Sequence, residues 1–274
     1  IQVIIYIYMN RYMILVLLSI LIIFYNIFIS YKNIKIEKFT LDSEYFNSIV
    51  DQIYVINMDK DTNRLKILDK KLKKLNLTYK RITGIDGKKI YPYYKNKTKL
   101  RPGQLGCLLS HINVIKNAIK NNYNNILVLE DDIVFHKNFH GEFIKKYKKL
   151  IKNENKFDLI YLGCSQSMRD NGKWNNTIMK DEYYINYGTD GTFGMLINKN
   201  IFSKIIEDNK NIKIPIDTSL TNNILATKKY KCFTLYPHLI TSKVDAISNT
   251  DNRKRNLNAY LVYNKLKYED YDFS

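Results

Sequence analysis

Cysteine, proline, glycine and tryptophan are scarce in this sequence. Its 274 residues include 3 Cys, 4 Pro, 10 Gly and 1 Trp. Cys107, Cys164 and Cys232 lie far apart and form no CxxC motif, which argues against a zinc ribbon and a disulfide framework and predicts isolated buried thiols. The low glycine and proline contents exclude collagen-like and proline-rich chains. With 45% hydrophobic residues, the chain is long enough for one large α/β domain and an accessory segment.

Acidic residues are also few relative to basic ones. The chain has 44 Lys and Arg against 26 Asp and Glu, a formal net charge of +18. Such a charge suits nucleic acid, an anionic membrane or a phosphorylated small molecule as partner, and charge alone does not choose among them.

An uncharged apolar segment occupies residues 12–29. As a helix it would be about 27 Å long, close to the thickness of a hydrocarbon core. The segment therefore predicts a membrane anchor within residues 1–30. A cleaved signal peptide is the alternative, but no small-x-small cleavage pattern follows the segment.

The orientation of such an anchor is not fixed by the sequence. Basic residues flank both ends of the segment and slightly favour a cytosolic body. Three glycosylation sequons, which begin at Asn76, Asn96 and Asn175, can be used only in a lumen. We expect a single-pass protein whose carboxyl-terminal body lies in the lumen of the secretory pathway.

The body shows strand patterns that alternate with helical ones. Apolar strand-like runs occur at 52–57, 126–129, 158–162 and 193–197, and leucines recur at helical spacing after the first run. This alternation predicts an α/β fold with a mostly parallel sheet flanked by helices. The predicted organisation is an anchor at 1–30, a stem at 31–50, a catalytic domain at 51–248 and a tail at 249–274.

Three consecutive acids, Glu130, Asp131 and Asp132, follow the apolar run at 126–129. Neighbouring carboxylates repel one another unless a cation compensates their charge. One interpretation is a hard divalent cation at the carboxyl end of a buried strand, where α/β folds place ligands. The other is a set of acids that precedes a helix and interacts with its dipole. The triplet alone does not decide between them.

Several short motifs occur in a fixed order along the body. They are Gly84-Ile-Asp-Gly87, Gly103-Gln-Leu-Gly-Cys-Leu-Leu-Ser-His111, Leu127-Val-Leu-Glu-Asp-Asp-Ile133, Gly191-Thr-Phe-Gly194 and Ile214-Pro-Ile-Asp217. Their order over about residues 52–248 resembles the lipooligosaccharide and procollagen galactosyltransferases of glycosyltransferase family 25. The resemblance implies a Rossmann-like GT-A fold and an inverting enzyme. Its substrates would be a UDP-sugar carrying galactose or glucose, and a glycan or hydroxylysine hydroxyl as acceptor.

The resemblance also implies a divalent metal, Mn²⁺ or Mg²⁺, on the donor diphosphate. The acidic triplet occupies the position of the family's metal motif. Glu130 and Asp132 are the first choice as metal ligands, with Asp131 facing the sugar. His238, which has no counterpart in the family motifs, is added as a candidate third ligand.

Four further residues match positions where nucleotide contacts are expected: Asn57, Arg64, Ser110 and His111. Arginine suits a phosphate because its guanidinium is always charged and binds two oxygens at once. Arg64 is equally compatible with an ordinary helix surface, and His111 with a purely structural role.

An inverting transferase needs a carboxylate that deprotonates the acceptor hydroxyl. Asp217 matches the family's position for this base, and Asp190 is the reserve candidate. The alternative role for Asp217 is a helix cap before residues 218–226.

Two other functions stay open. One is a catalytically silent relative, a surface or virion protein that keeps the fold. The other is a basic nucleic-acid-binding metal enzyme, which no helix-turn-helix, zinc-finger or RNP-like element supports.

Overall fold

The computed structural model describes residues 2–165, 180–242 and 266–273. The third sequon and residues 249–265 of the predicted tail lie outside these ranges. The chain divides into two units, 1–44 and 45–274, which are described separately. The helices are α1 Gln2–Ile49, α2 Thr62–Lys74, α3 Gly87–Tyr94, α4 Pro102–Lys120, α5 Phe139–Glu154, α6 Phe202–Asn209 and α7 Ile216–Leu220. The strands are β1 Gln52–Asn57, β2 Lys80–Thr83, β3 Asn125–Glu130, β4 Ile133–Phe135, β5 Leu159–Ser165, β6 Tyr183–Ile185, β7 Asp190–Asn198, β8 Cys232–Leu235 and β9 Ile240–Ser242.

The first unit consists of the amino-terminal part of α1. The range Val16–Ile49 contains a stretch long and apolar enough to cross a membrane, judged by length and composition. Large apolar side chains there, such as Leu21, Phe24 and Phe28, are exposed. The predicted apolar helix is confirmed. A membrane span and a signal sequence both meet this criterion, so the anchor itself stays a prediction.

The segment predicted as a stem is helical, because α1 continues to Ile49. Phe46 is fully buried, and its ring lies 5.4 Å from that of Phe139 and 4.7 Å from that of Phe143, between ring centroids. Val50 is buried beside it. The packed body therefore includes residues that precede Asp51.

The body is built on a mixed sheet. Within the described ranges the strand order is β2-β1-β3-β7-β5-β8-β6. β1 runs parallel to β2 and β3, and β5 runs parallel to β8. β7 is antiparallel to both β3 and β5, and β6 is antiparallel to β8. The predicted α/β class and mainly parallel sheet are confirmed, but an antiparallel strand lies at the centre. The GT-A assignment stays a prediction.

Helices cover both faces of this sheet, which explains why residues 126–129 of β3 are all apolar. Leu127 and Leu129 point into one hydrophobic cluster, which includes side chains of α2 and α5. Ile126 and Val128 point into the other, which includes side chains of α4, α6 and α7. All four side chains are fully buried. β3 thus ends at Glu130, and Asp131 and Asp132 follow directly in a turn.

The last described residues pack on the body. Asp272 donates its backbone N–H to Phe135 O at 3.0 Å, and its own carbonyl oxygen accepts from Lys71 Nζ at 2.9 Å. The Tyr271 hydroxyl donates to His238 O at 2.6 Å. Part of the predicted tail is therefore integral to the folded unit.

Candidate active site

The acidic triplet lies where two parallel strands end. β1 and β3 are in register with Ile56 opposite Glu130. Asn57, the last residue of β1, therefore reaches the same sheet edge as Asp131 and Asp132. Ligands of α/β proteins bind at this carboxyl edge. The register brings one predicted nucleotide-contacting residue beside the predicted metal motif.

Asp131 is held by two polar side chains. Asn57 Nδ2 donates to Asp131 Oδ2 at 2.7 Å, and Arg64 Nη1 donates to Asp131 Oδ1 at 3.2 Å. Arg81 sets the orientation of the Asn57 amide, because its Nε donates to Asn57 Oδ1 at 3.0 Å and Nδ2 is left facing Asp131. Arg64 Nη1 also lies 3.9 Å from Asp132 Oδ2. Arg64 therefore compensates part of the triplet's charge.

The environment of Asp131 disfavours its charge despite these partners. Its side chain is 7% exposed, and burial raises the pKa of the carboxyl group. The hydrogen bond from Asn57 and the charge of Arg64 lower the same pKa, but by less. Burial also lowers the pKa of Arg64, whereas Asp131 and Asp132 raise it more, so the guanidinium stays charged.

Glu130 points to a different set of side chains. Its Oε1 accepts from the Thr192 hydroxyl at 2.8 Å and lies 3.6 Å from His111 Nε2. Cys107 and His111 lie four residues apart on α4, so they share one face of that helix. The Cys107 thiol, His111 ring nitrogen and Glu130 carboxylate lie within 4.8 Å of one another. The predicted contact residue His111 is thus brought to the triplet, but to Glu130 alone.

Ser110 joins two backbone segments at the edge of the same site. Its hydroxyl accepts from Ile85 N at 2.8 Å and donates to Gly106 O at 2.7 Å. A Cβ on Gly87 would lie 1.7 Å from Pro102 O, and one on Gly106 would lie 2.4 Å from Ile85 O. Gly87 and Gly106 therefore allow the backbone of one motif to pack directly on that of the other. The hydrogen bonds of Ser110 stabilise this contact.

The two candidate bases lie on α7 and β7. Asp217 is in the first turn of α7, where its Oδ1 accepts from Thr218 N at 2.8 Å. Burial is the largest factor that raises the pKa of the Cys107 thiol, and the charges of Glu130 and Asp217 add to it. Asp190 begins β7 and is paired with Ser165 of β5. Asp217 thus lies close enough to influence the Cys107–Glu130 side of the site.

His238 has a different environment. It is fully buried, and its Nε2 lies 3.9 Å from Cys164 Sγ. Its ring also contacts Tyr236, with the ring centroids 6.2 Å apart. The group of potential metal ligands that the described residues form around Glu130 contains Cys107 and His111, not His238. A metal-binding role for His238 stays a prediction.

An open cleft connects these features. Cys107 was predicted to be an isolated buried thiol, but it is only partly buried and lies beside His111 and Glu130, and Thr192 had no predicted role. The Cys-x-x-x-His pattern on α4 is the signal for this group, because it places both side chains on one face of the helix. Asp190, Asp217 and His238 are not among the side chains that line the cleft in the described part of the chain. The lining residues are Ile56, Met58, Lys60, Arg64, Gly84, Ile85, Asp86, Gly87, Lys88, Gly103, Gly106, Cys107, Ser110, His111, Glu130, Asp131 and Asp132.

Comparison with known proteins identifies relatives of this chain. A glycosyltransferase 25 family member of Anopheles gambiae is 28% identical over 204 residues, which cover 68% of this chain and 33% of the relative. Procollagen galactosyltransferase 2 of Mus musculus is 28% identical over 128 residues, which cover 41% of this chain and 20% of the relative. The chain therefore spans a third or less of the length of these relatives. A solved structure, A197 from STIV, covers 75% of this chain at 13% identity and a TM-score of 0.41, which is too weak a likeness to support a conclusion.

A family model described as glycosyltransferase family 25 (LPS biosynthesis protein) matches residues 50–220. This range is more than half of the chain and includes β1, the Ser110–His111 pair, the acidic triplet and Asp217. The chain belongs to glycosyltransferase family 25, as the order of its motifs predicts.

Proposed function

We propose that this chain is a metal-dependent, inverting glycosyltransferase. It would transfer a hexose, galactose or glucose, from a UDP-sugar to a hydroxyl group of a glycan or of hydroxylysine. The observation that carries this proposal is a single cleft that gathers the acidic triplet, Arg64 and the Ser110–His111 turn of α4. Family membership supports a sugar donor, and the relative named procollagen galactosyltransferase 2 supports galactose. The proposed arrangement is of the GT-A type, with the donor at the carboxyl edge of β1 and β3.

The triplet fits a hard divalent cation by its donor chemistry. Carboxylate oxygens are the ligands that Mg²⁺ and Mn²⁺ prefer, and they do not distinguish between the two ions. Glu130 and Asp132 are the proposed ligands, and the ion would offset charge on the leaving diphosphate. His238 has the least support as a third ligand, because it packs against Cys164 and Tyr236.

Arg64 and Asn57 are proposed to hold the donor. The guanidinium of Arg64 lines the cleft and is charged, so it can pair with a phosphate as it now pairs with Asp131. The Asn57 amide and Asp131 form one buried hydrogen-bonded unit, which would present Asp131 to the sugar. Ser110 would act by positioning the Ile85 backbone at the cleft wall.

Asp217 is the proposed base. Its carboxylate would accept the proton of the acceptor hydroxyl while the oxygen attacks the anomeric carbon and the bond to the diphosphate breaks, which inverts the configuration. The substitution Asp217→Asn should lower kcat by about 10²-fold to 10⁴-fold and leave donor binding unchanged. An unchanged kcat would assign the role to the reserve candidate, Asp190.

The apolar helix is proposed to anchor the enzyme in a membrane of the secretory pathway through residues 12–29, with the catalytic body in the lumen. The two sequons within the described ranges, at Asn76 and Asn96, provide a test. A shift in electrophoretic mobility that an N-glycosidase removes would support a lumenal body, whereas a glycan-free protein in the membrane fraction would favour a cytosolic one.

The donor class is tested by thermal unfolding of the full chain in detergent, with and without Mn²⁺ and a panel of nucleotides and UDP-sugars. Ligand at 100 times its Kd stabilises the native state by about 2.7 kcal/mol. We expect a metal-dependent rise in Tm with UDP species only. Asp132→Asn should remove this rise, and Asp181→Asn, whose side chain is 81% exposed, should keep it.

The absence of a shift with any nucleotide, in a protein with a normal unfolding transition, would contradict the proposal. That result would favour a catalytically silent member of the family. A shift with unrelated nucleic acid that disappears at moderate salt would favour the nucleic-acid-binding alternative instead.

A further inference from the structure

The side chains around Glu130 form a set of ligands of mixed chemistry. They supply one thiol from Cys107, one imidazole nitrogen from His111 and one carboxylate, and these atoms lie within 4.8 Å of one another. All three residues line the cleft. An ion bound among them would therefore have three protein ligands and one position open to water or substrate, the arrangement of many zinc sites.

The geometry is close to that of a bound ion. With metal–ligand bonds of 2.0 to 2.3 Å, the ligand atoms of a tetrahedral site are about 3.3–3.7 Å apart. His111 Nε2 and Glu130 Oε1 are already 3.6 Å apart. The Cys107 Sγ lies within 4.8 Å of the other two ligand atoms, which is at most about 1.5 Å more than the spacing in a tetrahedral site. A change of side-chain rotamer can cover this difference.

His111 supplies an independent observation. Its side chain is 4% exposed, and among the described residues Nε2 has no hydrogen-bond partner. A buried ring nitrogen without a partner is unfavourable by about 1–3 kcal/mol. This nitrogen faces the Glu130 carboxylate at a distance too long for a hydrogen bond. A cation between the two groups would give this nitrogen a partner.

The charges of the group are also consistent with a cation. A divalent cation would balance one thiolate and one carboxylate. Binding would replace the thiol proton by the metal and release that proton to solvent.

We propose that Cys107, His111 and Glu130 form a binding site for a borderline-soft divalent cation of the Zn²⁺ class. Thiolate and imidazole ligands select such ions, whereas Mg²⁺ and Mn²⁺ prefer oxygen. The proposal does not depend on transferase activity. In this proposal Glu130 belongs to the thiolate site instead of to the hard ion of the donor diphosphate proposed above. Asp132 stays the ligand of that hard ion, and Asp131 keeps its proposed role towards the sugar.

The test is a titration of the full chain in detergent with Co²⁺, which replaces Zn²⁺ and reports thiolate ligation by a charge-transfer band in the near ultraviolet. We expect this band in the wild-type protein and its loss in Cys107→Ser. His111→Asn should weaken Zn²⁺ binding by at least about tenfold. The matched control is Cys164→Ser, which replaces a buried cysteine outside the group and should keep the band.

Asp132→Asn separates this site from the proposed donor site. It should keep the cobalt–thiolate band while it removes the response to Mn²⁺ and UDP. Far-ultraviolet circular dichroism of each variant verifies the fold. The proposal is overturned if the folded wild-type protein gives no band, if the band survives in folded Cys107→Ser, or if Cys164→Ser abolishes it.

Discussion

Replacement of Arg64 by Gln should destabilise the protein in a pH-dependent way. Arg64 is the cation that contacts both Asp131, at 3.2 Å, and Asp132, at 3.9 Å. The variant keeps the polar character and approximate length of the side chain but leaves the triplet without this positive charge. The Asn57 hydrogen bond to Asp131 remains in place.

The size of the expected loss of stability follows from the contact between Arg64 and Asp131. Two unit charges 3.2 Å apart attract by about 5 kcal/mol at an effective dielectric constant of 20, and desolvation of both groups offsets much of that attraction. Hydrogen bonds to charged groups contribute about 1.5–3 kcal/mol net. The Arg64 side chain is 24% exposed, which reduces the value slightly. We therefore expect a loss of about 2 kcal/mol at neutral pH.

The dependence on pH has a definite sign. The pKa of Asp131 in the native state is raised above its ordinary value, mainly by burial. The native state therefore binds this proton more tightly than the unfolded state does, and acidification through the native pKa stabilises the fold relative to neutral pH. Loss of Arg64 raises the native pKa further. The loss of unfolding free energy in Arg64→Gln should thus be largest at neutral pH and should become smaller as Asp131 becomes protonated.

The assay is urea unfolding of the full chain in detergent, followed by far-ultraviolet circular dichroism at pH 7.5 and pH 5. Lys66→Gln, an exposed lysine on the same helix, is the matched control and should change stability by less than about 0.5 kcal/mol. A double-mutant cycle with Asp131→Asn should return a coupling of about 1.5–3 kcal/mol. The reasoning would be refuted if Arg64→Gln loses the same unfolding free energy at both pH values, or if the coupling energy between Arg64 and Asp131 is near zero.

Three further predictions concern backbone packing, a buried charge and a hydrogen bond to the backbone. Gly87→Ala should lower the free energy of unfolding by about 3 kcal/mol, measured with urea, because the new Cβ would lie 1.7 Å from the Pro102 carbonyl oxygen. Gly84→Ala is the control and should lower it by less than about 1 kcal/mol, because its Cβ meets the flexible Met58 side chain at 3.0 Å. Equal losses in the two variants would contradict this packing. Lys146→Ala should lower the free energy of unfolding by about 3 kcal/mol, because the Lys146 side chain is 2% exposed and pairs with Glu142 and Glu182. Lys145→Ala is the control and should lower it by less than about 1 kcal/mol in the same measurement, because the Lys145 side chain is 58% exposed. Ser110→Ala should lower stability by about 1–3 kcal/mol by leaving Ile85 N without its acceptor, and it should weaken UDP binding in a calorimetric titration; unchanged stability would show that water replaces the hydroxyl.

The local elements of the fold could be predicted because each carries a local signal. The first predicted strand, at 52–57, coincides with β1, and the apolar run at 126–129 lies within β3. The direction of β7 could not be predicted in the same way. Its apolar run is compatible with either direction, and its position between β3 and β5 depends on contacts between residues far apart in sequence. The helical continuation of α1 to Ile49 depends likewise on the burial of Phe46 against α5.

The antiparallel direction of β7 has a consequence for the site. Leu129 lies opposite Gly194, so the amino-terminal end of β7 reaches the edge at which β3 ends. Thr192 is thereby brought to Glu130, and Asp190 to Ser165 at the end of β5. A parallel β7 would direct its carboxyl end to this edge and would place Thr192 towards the opposite one. The sequence motif Gly191-Thr-Phe-Gly194 therefore reaches the triplet only through a strand direction that local patterns do not specify.

The acidic triplet shows why composition alone left two interpretations open. Three adjacent carboxylates look equivalent in the sequence, but the structure divides them between two sets of partners. Asp131 pairs with Asn57 and Arg64, whereas Glu130 faces Thr192 and the α4 face that carries Cys107 and His111. Successive side chains at a strand end point in different directions, so the division follows from the backbone. A metal model that treats the triplet as one ligand set predicts equal loss of Mn²⁺ response in Glu130→Gln and Asp132→Asn. The divided site predicts that Asp132→Asn removes most of that response, while Glu130→Gln mainly removes the cobalt–thiolate band, and a comparison of the two variants decides between the models.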